Sequence, residues 1–224
     1  MKQNPITFSR DTKRPFHSKY RPTHFDEIVG QEHIISYFKN VILNERISFA
    51  YLFIGKHGVG KTTMSRIIAK ALNCKKGVEN LCTKDFCESC QSIIDGNNID
   101  ILEIDAASKT SVDDVRELID FSRYKPTSAK YKIFICDEVH MFSKSAFAAL
   151  LKTLEEPPPY LKFIFASTDV KKIPVTIISR CQRYDLSRVN SEELFNYLVK
   201  ITDLEKGKIS SEAIKLIVKL SEGS

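Results

Sequence analysis

Gly55-Lys56-His57-Gly58-Val59-Gly60-Lys61-Thr62-Thr63 decides how this chain is read. It fits G-x-x-x-x-G-K-[ST], the pattern of a phosphate-binding loop. The residues before it, Tyr51-Leu52-Phe53-Ile54, form a short apolar strand, and behind it Met64, Ile67, Ile68, Ala71 and Leu72 recur at helical spacing. Strand, glycine-rich turn and helix is the order that the chemistry requires. The glycines let backbone N–H groups close on a polyphosphate, and the helix N-terminus adds its positive dipole end. In that arrangement Lys61 reaches the β- and γ-phosphates and the Thr62 hydroxyl holds Mg²⁺.

Outward from the loop the chain alternates strands with helices. Upstream, a helix over 31–44 carries Ile34, Ile35, Phe38, Val41 and Ile42 on one face. Downstream, 91–95 reads as a helical end and 100–105 as a second strand. Ser111-Val112-Asp113-Asp114 is a helix-start signature, continued by Val115, Leu118, Ile119 and Ser122. Lys132-Ile133-Phe134-Ile135-Cys136 and Lys162-Phe163-Ile164-Phe165-Ala166 are nearly unbroken apolar runs, as expected of strands covered on both faces. Between them a helix over 145–155 is stopped by Pro157-Pro158-Pro159. A short strand over 182–186 follows. This alternation predicts an α/β fold with a parallel, doubly wound sheet, whose ligands sit at the carboxyl ends of the strands. Gly55, Asp137 and Thr168 all fall there. After Leu186 the pattern is purely helical, over 191–202 and 211–220, so a domain boundary is expected near 183–187.

Composition is that of a globular protein, and no apolar run approaches the ~20 residues of a membrane span. No signal-peptide pattern opens the chain, which reads as cytoplasmic. The formal net charge is +6, and it is concentrated at one end. Residues 1–21 carry Lys2, Arg10, Lys13, Arg14, Lys19 and Arg21 against Asp11 alone, leaving the other 203 residues close to neutral. Such a stretch reads as a solvated basic arm over 1–17, and an arm touching nucleic acid is the alternative. Bulk charge does not make the body a nucleic-acid binder.

The strand 132–136 ends in Asp137-Glu138, a Walker B pattern: Asp137 belongs to the Mg²⁺ shell and Glu138 orients or activates the attacking water. Thr168 has two equal readings, a γ-phosphate sensor or a capping hydroxyl. Arg180 reads from spacing alone as a solvated side chain. Cys74, Cys82, Cys87 and Cys90 lie within 17 residues and offer four thiolates, enough for a closed, structural Zn²⁺ site. Cys136 and Cys181 read as small buried hydrophobes.

Taken in order, Tyr20-Arg21-Pro22, Val29-Gly30-Gln31, the loop from Gly55 to Thr63, the four cysteines, Glu103-Ile104-Asp105-Ala106-Ala107-Ser108, Asp137-Glu138-Val139-His140-Met141, Leu151-Lys152-Thr153-Leu154-Glu155-Glu156-Pro157-Pro158 and Ser179-Arg180-Cys181 resemble the gamma/tau subunits of bacterial DNA polymerase III, which are AAA+ clamp-loader ATPases. The likeness runs from about residue 18 to the end. It implies an AAA+ domain over 18–184 with a zinc module at 74–90, and the start of a helical lid over 185–224. It implies ATP as substrate, with Tyr20, Arg21, Pro22 and Val29 around the adenine and Gly55, Gly58, Val59, Gly60, Lys61, Thr62 and Thr63 around the phosphates. Thr168 takes the sensor-1 position, Arg180 the finger reaching a neighbouring subunit's ATP, and Lys109, Arg116 and Lys152 face DNA phosphates. The implied partners are other clamp-loader subunits, the sliding clamp and primer–template DNA; no membrane is involved. Two departures stand out. The family commonly spaces its cysteines x8, x2 and x2, whereas this chain has x7, x4 and x2; and no Arg-bearing sensor-2 helix follows 221–224, so the chain reads as an N-terminal part. The competing readings are a non-hydrolysing, nucleotide-gated scaffold subunit and a DNA helicase fragment, the latter needing a second motor domain for which there is no room.

Overall fold

The computed structural model describes residues 15–77, 81–83, 85–108 and 111–224. The elements, in chain order, are α1 (Phe16–Lys19), α2 (Glu32–Leu43), β1 (Ala50–Ile54), α3 (Lys61–Leu72), α4 (Glu88–Ile94), β2 (Ile101–Asp105), α5 (Val112–Ser122), β3 (Lys132–Asp137), α6 (Lys144–Glu155), β4 (Leu161–Ser167), α7 (Val175–Ile178), β5 (Gln182–Asp185), α8 (Ser191–Leu204) and α9 (Ser211–Ser221). The five strands form one sheet in the order β2-β3-β4-β1-β5, and every neighbouring pair is parallel. The predicted doubly wound sheet is therefore the observed one.

The interior strands explain their own composition. β1 and β4 are buried along their whole length and β3 up to Cys136, because helices cover both faces. Alternate residues point to opposite sides. Leu52, Phe134, Phe163 and Phe165 meet Val115 and Leu118 of α5 and Phe147, Leu150 and Leu154 of α6. Tyr51, Phe53, Ile133, Ile135 and Ile164 meet Ile34, Phe38 and Ile42 of α2 and Met64, Ile67 and Ile68 of α3. Phe38 stands against the rings of Tyr51, Phe53 and Tyr184, so α2 also covers the edge strand β5. Each such aromatic or aliphatic side chain contributes ~1.5–3 kcal/mol through burial.

Local signals set the helix ends. Ser111 accepts from the Asp114 N–H at 3.1 Å while the Asp114 carboxylate accepts from the Ser111 N–H at 3.2 Å, the reciprocal cap that the sequence predicts for α5. At the base of β2, Asp100 is 1% exposed and accepts from the N–H groups of Thr127, Ser128 and Ala129 at 2.7–2.9 Å, which fixes the loop entering β3. One helix starts earlier than its apolar pattern indicates. α4 begins at Glu88 rather than Gln91, with Cys87 extended at its N-cap, so Cys90 rides on its first turn. The basic arm falls largely outside the described residues (1–14), and Phe16 and His17, assigned to it from sequence, belong instead to α1.

Candidate functional site

The P-loop leaves β1 at Gly55 and enters α3 at Lys61. Gly60 sits at φ +97°, a left-handed conformation that side chains rarely adopt, and this turn aims the first N–H groups of α3 into the loop. At Gly55 space is the constraint: a Cβ would stand 2.8 Å from Val59 and 3.0 Å from the Leu186 carbonyl. Lys61 is 6% exposed, and its Nζ donates to the carbonyls of Gly55 at 2.9 Å and Lys56 at 3.1 Å. Burial lowers its pKa below the usual lysine value, while the carboxylates of Glu138 and Asp137 pull it back up.

Strand β3 brings the acidic pair to the same place. The Thr62 hydroxyl donates to Asp137 Oδ2 at 2.5 Å, so both oxygens assigned to Mg²⁺ already lie together, an oxygen set suited to a hard dication. Glu138 turns sideways off the strand at φ 47°, ψ 42°. Its carboxylate is 3.8 Å from Lys61 Nζ and 3.6 Å from His57 Nδ1. Thr168, at the end of β4, donates both its hydroxyl (3.0 Å) and its N–H (3.2 Å) to Glu138 Oε2. His140 Nδ1 lies 3.2 Å from the same oxygen and 3.0 Å from Ser167 Oγ.

Lys61, Thr62, Asp137 and Glu138 open on a cleft of about 600 Å³. Gly58, Gly60, Lys61, Thr62, Thr63, Asp137 and Glu138 line one side, and Tyr20, Arg21 and Pro22 line another. Burial, followed by the nearby Arg66, holds the Arg21 guanidinium below its ordinary value. The third wall is one that sequence reading did not assign: Leu194, Tyr197, Leu198 and Ile201 of α8, joined by Phe16 and His17. Their helical spacing was visible in the sequence, but it signals an apolar face without saying what the face covers. α8 is tied to the Tyr20 segment, since Tyr197 donates to the Tyr20 carbonyl at 3.1 Å and Glu205 accepts from Lys19 and from the Tyr20 hydroxyl.

Not every expected residue reaches the cleft. Val29 is half-buried and, like Gly55 and Thr168, is not among the lining residues, and Val59 is packed into the core. Arg180, 31% exposed, is held by Glu155 at 2.7 Å and by the Thr176 carbonyl at 2.8 Å, and does not line the cleft of its own chain. Arg116 and Lys152 share a separate groove of about 530 Å³ between α5 and α6, with Arg123 beside them. Lys109 lies outside the described residues.

The four cysteines come together as the spacing predicts. Their sulfurs all lie within 4.8 Å of one another, with Cys74 and Cys82 at 3.6 Å. A tetrahedral dication with metal–sulfur bonds of ~2.3 Å sets its sulfurs ~3.8 Å apart, so the cluster fits such an ion. Burial works against a thiolate at Cys87, but N–H donors from Cys90 and Lys75 and side-chain hydrogen bonds from Cys90 and Cys82 outweigh it and bring the thiol to about 6. Burial pushes Cys90 up.

A parallel sheet of this strand order, with a P-loop after β1 and a paired carboxylate motif after β3, two strands away across β4, defines a P-loop domain of the AAA+ class. The Thermotoga maritima RuvB Holliday junction branch migration motor shares this fold, with a TM-score of 0.66 and 20% identity over 92% of this chain and 61% of that one. The family model described as DNA polymerase III, delta subunit matches residues 30–190, and the chain belongs to that family. Among curated proteins it is 46% identical over 206 residues to the DNA polymerase III subunit tau/gamma of Haemophilus influenzae, covering 92% of this chain and 30% of that protein. It is 44% identical over 205 residues to the tau subunit of Bacillus subtilis, covering 91% and 36%. To the gamma subunit of Buchnera aphidicola subsp. Schizaphis graminum it is 45% identical over 207 residues, covering 92% and 56%. The resemblance drawn from the motifs is thus borne out, and the chain spans about a third to just over half the length of these relatives. Among the described residues no helix is long and apolar enough to cross a membrane.

Proposed function

We propose that this chain is the ATP-binding and ATP-hydrolysing core of a clamp-loader motor subunit, which loads the sliding clamp onto primed DNA. The observation that carries the reading is the convergence of Lys61 and Thr62 at the start of α3 with Asp137 and Glu138 at the end of β3 on one cleft, with Thr168 at the end of β4 holding the Glu138 carboxylate from behind. In this reading the adenine packs between the Tyr20–Pro22 segment and the apolar face of α8. The N–H groups around Gly58 and Gly60 and the Lys61 ammonium take the phosphates. Thr62 and Asp137 would hold Mg²⁺, which would supply positive charge to offset that of the phosphates. Glu138, positioned by Thr168, accepts a proton from the water that attacks the γ-phosphorus; the bond to the β–γ bridging oxygen breaks, giving ADP and phosphate.

Arg180 acts on a neighbouring subunit's ATP, in keeping with its place outside its own cleft. Arg116 and Lys152 meet DNA phosphates, and the cysteine cluster holds a structural Zn²⁺. Partners are the other loader subunits, the clamp and primer–template DNA.

The test is Glu138→Gln in an assembled loader. The amide fills the same space but takes no proton, so ATP binding should persist while turnover falls by ~10²-fold or more. Normal hydrolysis by that variant would end the assignment.

A further inference from the structure

Lys70 lies on α3, 3% exposed, on the side that faces the cysteine cluster. Its Nζ donates to the Cys82 carbonyl at 3.1 Å and stands 4.8 Å from the centre of the Phe86 ring. Both contacts lie in the knuckle between Cys82 and Cys87. Among the described residues no carboxylate is within ion-pair distance of it. The neighbouring lysines are used elsewhere: Lys75 pairs with Glu88 and Lys76 donates to the Asp85 carbonyl, both at the surface. A buried ammonium with one carbonyl and one ring for company is expensive unless a negative charge lies close by. Among the described residues the negative charge nearest at hand is that of the Cys90, Cys82 and Cys74 sulfurs, with the Glu27 carboxylate a weaker, more distant contributor.

We propose that Lys70 is the counter-ion of the metal–tetrathiolate centre. The inference rests on reading the four cysteines as a metal site. Four thiolates around a dication leave two net negative charges in a largely buried place. The Lys70 ammonium offsets part of that charge, and its hydrogen bond fixes the peptide of Cys82, so the ligand and its compensating charge are set by one side chain. Because Lys70 stands on the helix that begins at Lys61, the same contact fastens the metal module to the phosphate-binding element.

The experiment is a zinc-affinity measurement on the whole chain, by competition with a chromophoric chelator, together with urea unfolding of the metal-free protein. Lys70→Met and Lys70→Gln should weaken zinc binding by ~10–100-fold, and Lys70→Arg should stay within about threefold of wild type. Gln keeps a neutral N–H donor on a side chain one bond shorter, so it is the contrast between Lys70→Gln and Lys70→Arg that reads the charge. Metal-free Lys70→Met should be at least as stable as the metal-free wild type, since an uncompensated buried cation has been replaced by apolar packing. Wild-type affinity in either neutral variant overturns the proposal, as does an equal loss in Lys70→Arg or a metal-free Lys70→Met that is clearly less stable. A wild-type chain that takes up no zinc fails at an earlier step and removes the metal reading itself.

Discussion

Replacing Lys61 by Met separates a phosphate-facing cation from a merely structural one. Methionine has similar length and no charge. In the nucleotide-free protein two effects oppose each other. The change relieves the desolvation of a side chain that is 6% exposed, and it removes hydrogen bonds to the Gly55 and Lys56 carbonyls and the attraction of Glu138 at 3.8 Å. Glu138 keeps its donors from Thr168 but the two carbonyls lose theirs, so stability without nucleotide should fall by about 1–3 kcal/mol. With nucleotide nothing offsets the loss. Unit charges ~4 Å apart interact by ~4 kcal/mol at an effective dielectric constant of ~20. That corresponds to ~10³-fold in Kd. Urea unfolding of the nucleotide-free chain and calorimetric titration with Mg·ATP, on wild type and Lys61→Met side by side, read the two quantities. An affinity loss under about tenfold, or a destabilisation as large as the lost binding energy, would show that Lys61 supports the loop rather than the ligand.

Two further outcomes can be measured. Asp100 accepts three backbone N–H groups and the Ser128 hydroxyl; burial opposes its charge, but these donors outweigh it and hold its pKa below the usual aspartate value. Its contribution is therefore present above the unfolded-state pKa and lost as pH falls through the lower folded-state value. Asp100→Asn should cost ~2–4 kcal/mol near neutrality, and the gap to wild type in urea midpoints should narrow in strong acid; a pH-independent gap contradicts the argument. Arg116→Ala combined with Lys152→Ala should weaken primed-DNA binding by the assembled loader and flatten its log–log salt dependence by about two, with little dependence on sequence; an unchanged slope places the DNA elsewhere.

The parts of the fold that were legible in sequence are those where one physical constraint acts alone. β1, β3 and β4 are covered on both faces, and their apolar runs announce it. Gly60 needs a left-handed backbone, and Ser111 with Asp114 caps a helix by contacts three residues apart. The start of α4 was not legible, because Cys87-Glu88-Ser89-Cys90 has no apolar period and is ordered by the knuckle around it. The α8 wall of the cleft and the meeting of His140, Ser167, Thr168 and Glu138 were hidden for another reason. The first depends on which element packs over an apolar helix face and the second on register between strands, such as Cys136 opposite Phe165, and no short spacing encodes either. Of the residues named by resemblance, Tyr20, Arg21 and Pro22 line the cleft and Val29 does not.

The backbone at Glu138 has an implication for how this domain can be engineered. A residue with a Cβ held at φ 47° costs about 1–2 kcal/mol relative to an ordinary helical or extended conformation, a penalty that glycine escapes. The same twist is what swings the carboxylate across to Thr168 and His140 instead of letting it continue along the strand. Robustness and turnover therefore favour different residues at this one position. A library selected only for heat resistance should accumulate glycine at 138, while one selected for nucleotide turnover should retain glutamate despite its conformational penalty.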